Sequence, residues 1–310
     1  MKVFRSFEDY AGLSRHSALA IGNFDGLHLG HQKILRCLVR QARRQKLLSC
    51  VLTFSPHPEK VFGRDALCMI QTLEQRLEGI EKTGVEATLV VPFNRRFANL
   101  SAKDFAEKIL VHAVAVRAVF VGANFRFGKK REGDIPGLRR FGNAFGFDVY
   151  AVPQVTRNRQ TVSSSLIRSL LLRGRVKEAG LLLGRPYEIE GDVVSGDARG
   201  QSLGFPTANV QSPNEIIPPG VFLTLIDVQG KRWPSLTNVG VRPTFSRKKL
   251  AIETHLLGFK KTIYGESVKI EFLKKIRNER LFPDSAGLAR QIQRDVDAAG
   301  RFFRARQMFP

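Results

Sequence analysis

The sequence predicts an α/β chain of two domains, a parallel sheet wrapped by helices followed by a small antiparallel β-barrel with a terminal helix. Three observations predict it. As far as LLGRPY at 182–187, short apolar runs alternate with amphipathic helical ones, the pattern of a parallel sheet that holds ligands at the carboxyl ends of its strands. From Tyr187 onward the runs become short, β-prone and broken by Gly and Pro, as in a small barrel. Ser285 to Arg304 then returns to helical spacing. The change of pattern near Gly184 to Tyr187 sets domains of 1–184 and 185–310.

The first element is an apolar strand ending at Ile21, followed by a Gly/Asn/Asp-rich turn from Gly22 to Gly26. A helix begins near Gly30 and carries Ile34, Leu35 and Leu38 on one side. SCVLTFSPHP is a second strand, ended by Pro56 and Pro58. Thr72 to Lys82 has Leu73, Leu77 and Ile80 at helical spacing with Gly84 as a stop. Ala87 to Phe93 is a strand, Ser101 to Val111 a capped helix, and Val119 opens a strand that runs into a glycine- and cation-rich loop ending at Gly133. A hydroxyl-rich cap at Thr161 to Ser165 opens a helical run lasting from Leu166 to Leu183. The barrel strands are expected at Tyr187–Val194, Val221–Val228, Trp233–Val239, Ala251–Leu257 and Ser267–Leu273.

Chemistry concentrates at the first turn. His28 and His31 are three residues apart at a helix start, where free backbone N–H groups and the positive dipole end favour a phosphate. A His-x-x-His pair also makes half of a zinc site, but Cys37, Cys50 and Cys68 show no C-x-x-C pairing.

GNFDGLHLGHQ contains H-x-G-H and resembles the nucleotidyltransferase superfamily, in the version found in bacterial bifunctional riboflavin kinase/FAD synthetases. Further strings resemble the same family in order. FSPHP matches its F-x-P-H-P element, Gly122 to Asp134 its G-x-D-F-R-F-G-x-x-R-x-G-D, and TVSSSLIRS its I-S-S-T/S-x-I-R helix start. Gly191 to Val210 resembles the riboflavin kinase signature ending in G-F-P-T-A-N; TNVGVRPTF, IETH, IYGE and IRNERLF follow. Two positions depart from the pattern: Asn124 stands for Asp, and Gln201 for Arg.

The resemblance implies a Rossmann-like nucleotidyltransferase domain that adenylylates FMN to FAD, and a β-barrel riboflavin kinase domain that makes FMN from riboflavin and ATP. For adenylyl transfer it implies catalytic His28 and His31, and ATP contacts from Gly22, Asn23, Phe24, Asn124, Arg126, Ser164, Ser165 and Arg168. For the kinase it implies Glu253 as base, Gly191, Gly196 and Gly200 around ATP, and Thr207 with Asn209 on Mg2+. Pro56, His57 and Arg277 are the implied flavin contacts. Taken alone, the SSS string is a helix cap, the 129–131 run a basic surface loop, and Glu253 a solvent-facing strand residue. Two other readings follow from the departures and the charge: an active kinase with an impaired or re-purposed first domain, and a basic nucleic-acid-binding or regulatory protein on the same scaffold.

Composition bounds these readings. The 310 residues carry a net charge of +22, of which 31 basic and 15 acidic residues put +16 before Tyr187. Such a field attracts polyanions, but the cations come in scattered pairs without an interleaved aromatic platform, so nucleotides rather than nucleic acid are the expected partners. No run approaches the ~18 apolar residues of a membrane span, and MKVFRSFEDY lacks the apolar core of a secretory signal. With three unpatterned cysteines, the expected location is the cytoplasm. No motif specifies an oligomer.

Overall fold

The computed structural model describes residues 1–11, 15–63, 67–196, 204–243, 248–280 and 282–308. The chain divides into two compact units, Met1–Ser164 and Ser165–Pro310. Among the described residues of the first, six parallel strands run in the order β1 (Lys2–Phe4), β4 (Ala87–Pro92), β3 (Leu48–Ser55), β2 (Ser17–Ile21), β5 (Val116–Gly122), β6 (Asp148–Val152). Helices between them are α1 (Phe7–Ala11), α2 (Leu29–Gln45), α3 (Pro58–Val61), α4 (Leu73–Glu81), α5 (Arg95–Ala98), α6 (Ala102–Asp104) and α7 (Ile135–Phe145). A small hairpin, β7 (Thr156–Arg157) with β8 (Gln160–Thr161), precedes α8 (Ser164–Leu172).

Strand alternation explains why both faces of this sheet need cover. Ala18 and Ala20 turn to one face and let α2 pack closely through Ile34, Leu35, Leu38, Val39 and Ala42. Leu19 and Ile21 turn to the other, against Phe105, Ala106 and Leu110. Burying the four large α2 side chains is worth about 1.5–3 kcal/mol each. The helix stops where Lys46 takes a left-handed φ of 54° and its N–H returns to Ala42 and Arg43.

The second unit holds α9 (Val176–Leu183), α10 (Ser285–Arg304) and a closed barrel of β10 (Ala208–Gln211), β13 (Lys248–Leu256), β12 (Lys231–Pro243), β11 (Gly220–Val228), β14 (Ser267–Arg277) and β9 (Tyr187–Val194). Leu223, Leu225, Leu236 and Leu257 face outward against Ala299 and Phe303 of α10. The alternate positions point inward and include a fully buried hydroxyl chain: Thr224 Oγ1 meets Ser235 Oγ and Thr237 Oγ1 at 2.8 Å each, and Thr237 meets Thr254 at 3.0 Å.

Four expectations change. The run from Leu166 to Leu183 is two helices, broken at Gly174, whose φ of +69° and close approach to the Pro219 carbonyl exclude a side chain. The helix after Ser101 turns π-helical over Phe105–Ala113, which puts Phe105, Ala106 and Leu110 on the buried face at a wider spacing than an α-helix gives. The string after Pro206, a phosphate motif by resemblance, also supplies β10. Gly191 lies inside β9 rather than in a turn; a Cβ there would collide with the Gln211 carbonyl, so close strand approach already requires the glycine.

Candidate functional site

In the first unit β2 lies between β3 and β5, so the strand order reverses at its carboxyl end. Such a switch point leaves a crevice for a ligand. Gly22 continues from β2, its N–H donating to the Leu52 carbonyl at 3.1 Å. Asn23 is tied down three ways: its carbonyl accepts from Thr53 Oγ1 at 3.1 Å and from Arg76 Nη1 at 2.7 Å, and its amide meets His57 Nε2 at 2.8 Å. Phe24 is fully buried at φ 52°. The Asp25 carboxylate is 1% exposed and accepts from the Ile70 N–H at 3.0 Å and the Gln71 N–H at 3.3 Å.

His28 is the N-cap of α2. Its Nδ1 accepts from the N–H groups of Gly30 at 3.1 Å and His31 at 3.3 Å, so the neutral ring carries its proton on Nε2. These two amides therefore serve the cap, and the expected phosphate cradle of backbone N–H groups is reduced accordingly. The His31 ring stacks on His28 with centroids 3.6 Å apart and meets the Phe24 edge at 5.2 Å. Burial, then His28 and Arg76, hold the His31 pKa well below its ordinary 6.5. Its Nδ1 is buried without a partner among the described residues, which contain no group of three or more His, Cys, Asp or Glu side chains able to hold a metal ion.

The neighbouring strand ends carry the remaining first-unit residues. Pro56 and His57 follow β3, where His57 Nδ1 accepts from the Glu59 N–H at 3.2 Å and caps α3. Asn124 and Arg126 are exposed beyond β5, and Arg126 lies 3.7 Å from the Asp134 carboxylate. The glycines of that loop have structural reasons: Gly133 bridges Phe127, with a Cβ only 2.7 Å from the ring, and Gly128 has φ +73°. Ser164 Oγ donates to the Asp25 carbonyl at 2.9 Å. Ser165 and Arg168 follow on α8 in the second unit.

In the barrel, antiparallel pairing builds one row across four strand junctions. Asn209 of β10 faces Glu253 of β13; Glu253 faces Asn238 of β12; Asn238 faces Val221, and Val221 faces Arg277 of β14. Directly paired residues share a face, and this one is the outer face toward α10. Arg277 is held there by Asp295 of α10, through Nε at 2.9 Å and Nη2 at 2.8 Å.

The comparisons with known proteins agree with this division. Residues 12–166 match the FAD synthetase family and residues 183–303 the riboflavin kinase family. Bifunctional riboflavin kinase/FMN adenylyltransferases from Bacillus subtilis and Escherichia coli K12 are 39% and 36% identical, over 93% and 98% of this chain and 92% and 98% of their own. The chain belongs to the bifunctional riboflavin kinase/FMN adenylyltransferase family. A solved structure from Streptococcus pneumoniae, described as a macrolide-efflux protein, superposes with a TM-score of 0.88 at 29% identity, covering 96% of this chain and 97% of that one. Among the described residues here, no helix is long and apolar enough to cross a membrane.

Kinases of this family act on ATP, which calls for a hard divalent cation, and the barrel offers a matching donor set. The Thr207 hydroxyl and Asn209 amide carry hard oxygen donors two residues apart, one just before β10 and one within it. Gly196 packs against the Asn209 amide so tightly that any Cβ would overlap it. Gly200 and Gln201 lie outside the described residues.

Three features of the adenylyltransferase unit were missed in the sequence. Asp25 and Arg76 brace the histidine turn from inside. Phe62, 66% exposed, ends an aromatic series through Phe93, Phe54 and Phe97 near the His57 loop. A visible signal existed for Arg76: it lies four residues before Ile80, on the stripe of α4 expected to be apolar, and a cation in such a stripe requires buried partners.

Proposed function

We propose that the two units carry out consecutive steps of flavin-cofactor synthesis. The barrel unit phosphorylates riboflavin with ATP to FMN, and the sheet unit adenylylates FMN with a second ATP to FAD. The observation that carries this reading is that both family matches occur in order in one chain, with relatives aligned over 98% of it. The domain boundary is proposed between 184 and 185. A cytoplasmic location is proposed too, which three cysteines without C-x-x-C spacing favour.

In the kinase step the 5′-hydroxyl oxygen of riboflavin bonds to the γ-phosphorus as the bond to the β–γ bridging oxygen breaks and ADP leaves. Glu253 takes the hydroxyl proton; its place beside Asn209 in the paired strands supports that role. Thr207 and Asn209 would hold Mg2+, which supplies charge neutralisation to the phosphates when bound. Gly191, Gly196 and Gly200 are the proposed ATP glycines, Gly191 having its structural reason besides. Arg277, braced by Asp295, is proposed to face the flavin.

In adenylyl transfer a phosphate oxygen of FMN bonds to the α-phosphorus of ATP, the bond to the α–β bridging oxygen breaks, and pyrophosphate departs with the electron pair. The nucleophile is already an anion, so no base is needed. His28 donates from Nε2–H to the developing charge, and neutral His31 stacks behind it. Gly22, Asn23 and Phe24 shape the turn. Asn124, Arg126, Ser164, Ser165 and Arg168 are the proposed further ATP contacts, and Pro56 and His57 the flavin contacts.

The test is a time course with riboflavin, ATP and Mg2+, separating riboflavin, FMN and FAD. The wild type makes FMN and then FAD; His28→Ala stops at FMN; Glu253→Ala makes FAD only when supplied with FMN. Riboflavin left untouched by the wild type overturns the kinase reading. FMN supplied with excess ATP and left unconverted overturns the adenylyltransferase reading.

A further inference from the structure

Helix α4 buries a cation that no motif residue accounts for. Arg76 is 4% exposed and its neighbour Gln75 3%, while Leu73 and Leu77 are only half-buried. The Arg76 guanidinium donates through Nη1 to the Asn23 carbonyl at 2.7 Å and through Nη2 to the Phe54 carbonyl at 3.1 Å. Asn23 stands in the turn that leads to His28, and Phe54 stands three residues before His57. Those carbonyls lie at the carboxyl ends of β2 and β3, beyond the Gly22 N–H to Leu52 bond that continues their pairing. From there the guanidinium, Thr53 Oγ1 and the Asn23–His57 contact hold the two loops together.

A planar fork suits this task, because one rigid group reaches two carbonyls at fixed separation. The Asp25 carboxylate supplies the opposing charge, acting on Arg76 against the effect of burial. Two buried atoms beside the turn, Arg76 Nε and His31 Nδ1, have no hydrogen-bond partner among the described residues. The titratable or charged groups that act on His31 are His28 of its own helix and Arg76 of α4.

We propose that Arg76 is a positioning residue for FMN adenylylation, fixing the gap between the histidine turn and the His57 loop and keeping a positive charge behind the stacked imidazoles. The inference rests on the adenylyltransferase reading of this unit. The flavin loop and the nucleotide turn must meet for FMN phosphate to reach the α-phosphorus, and Arg76 is the side chain that bridges their backbones.

Arg76→Met and Arg76→Lys in the full chain test this, with riboflavin phosphorylation in each preparation as a control outside the sheet unit. Misplacement of reacting groups by about 1 Å costs on the order of 100-fold in rate, so Arg76→Met is expected to lower kcat for FAD formation by that order while KM for FMN and ATP changes little. Arg76→Lys keeps the charge without the fork and is expected to lose about tenfold. Removing the cation also raises the pH at which His31 protonates, read from its ring 15N shifts, in the Met variant and not in the Lys variant. Adenylylation within twofold of wild type in Arg76→Lys, or an unmoved His31 titration in a folded Arg76→Met, overturns the proposal. Should the Met variant fail to fold, the Lys variant decides: a fall in kcat at constant KM supports the bridging role. A wild type that makes no FAD from FMN defeats the adenylyltransferase reading itself, a result distinct from any of these.

Discussion

Replacing Asp25 should damage the histidine turn without touching a motif histidine. The carboxylate is 1% exposed and accepts from the Ile70 N–H at 3.0 Å and the Gln71 N–H at 3.3 Å, while Ile70 is fully buried and Gln71 6% exposed. In Asp25→Ala both amides lose their acceptor, at about 1–3 kcal/mol each. Buried Arg76 also loses the larger of the opposing charges acting on it, which adds to these losses. The contributions overlap, so about 3–5 kcal/mol is expected in all, a large share of the ~5–15 kcal/mol that stabilises an ordinary domain. Asp25→Asn retains one oxygen for both amides and loses only the charge, which leaves about 1–2 kcal/mol. The assay is denaturant unfolding with amide hydrogen exchange at Ile70 and Gln71. The sole tryptophan, Trp233, sits on β12 and reports the barrel, so a far-UV dichroism change not matched by Trp233 fluorescence belongs to the first unit. If Ala and Asn cost the same, or the two amides remain protected in the Ala variant, the carboxylate does not hold this loop.

Other outcomes follow from the same geometry. His28→Asn should keep the α2 cap while His28→Ala loses about 1 kcal/mol of thermal stability, yet both should lose about 100-fold or more in adenylylation, separating cap from chemistry. Because the folded His31 pKa lies well below the 6.5 of an unfolded chain, only the unfolded state gains this proton on acidification; stability of the first unit should fall as pH drops below about 6.5, by up to about 1.4 kcal/mol per pH unit, and His31→Asn should flatten that slope in pH-dependent unfolding. Burial pushes the Cys50 thiol up to about 12, so alkylation at pH 8 followed by peptide mass spectrometry should label the half-buried Cys37 and Cys68 before Cys50. Thr254→Val preserves shape but leaves Thr237 short of a partner, and should cost the barrel about 1–3 kcal/mol by Trp233 fluorescence.

Legibility in the sequence followed contact range. The strand, turn and helix around His28 were readable because their determinants are neighbours: apolar alternation, glycine, and a helical stripe within Ser17–Gln45. The barrel strands and α10 were readable for the same reason; Tyr187–Val194 and Ser285–Arg304 have the expected bounds. What holds the site together was not. Arg76 reaches Asn23 across 53 positions and Ser164 reaches Asp25 across 139, and no local pattern encodes such partners. β10 escaped because four residues, with Ala208 and Val210 inward and Asn209 and Gln211 outward, are too short for alternation to stand out from a loop motif.

A motif match names residues, whereas the structure assigns their atoms. In GLHLGH the His28 imidazole caps a helix with Nδ1, which settles where its proton sits and so what its other edge can offer a phosphate. His57 repeats the device on α3, and its Nε2 then carries the proton. The atom 2.8 Å from that nitrogen is Asn23 Nδ2, so the donated proton calls for the amide turned over, with its oxygen accepting and its NH2 side left as a donor. Gly133 and Gly191 show the converse: their place in ligand motifs is fully required by a ring and a carbonyl that approach too closely for a Cβ. Residues shared between scaffold and chemistry cannot be apportioned by identity alone. In this chain the division falls at single atoms, and the charge that Arg76 buries beneath the turn is as much part of the site as the histidines above it.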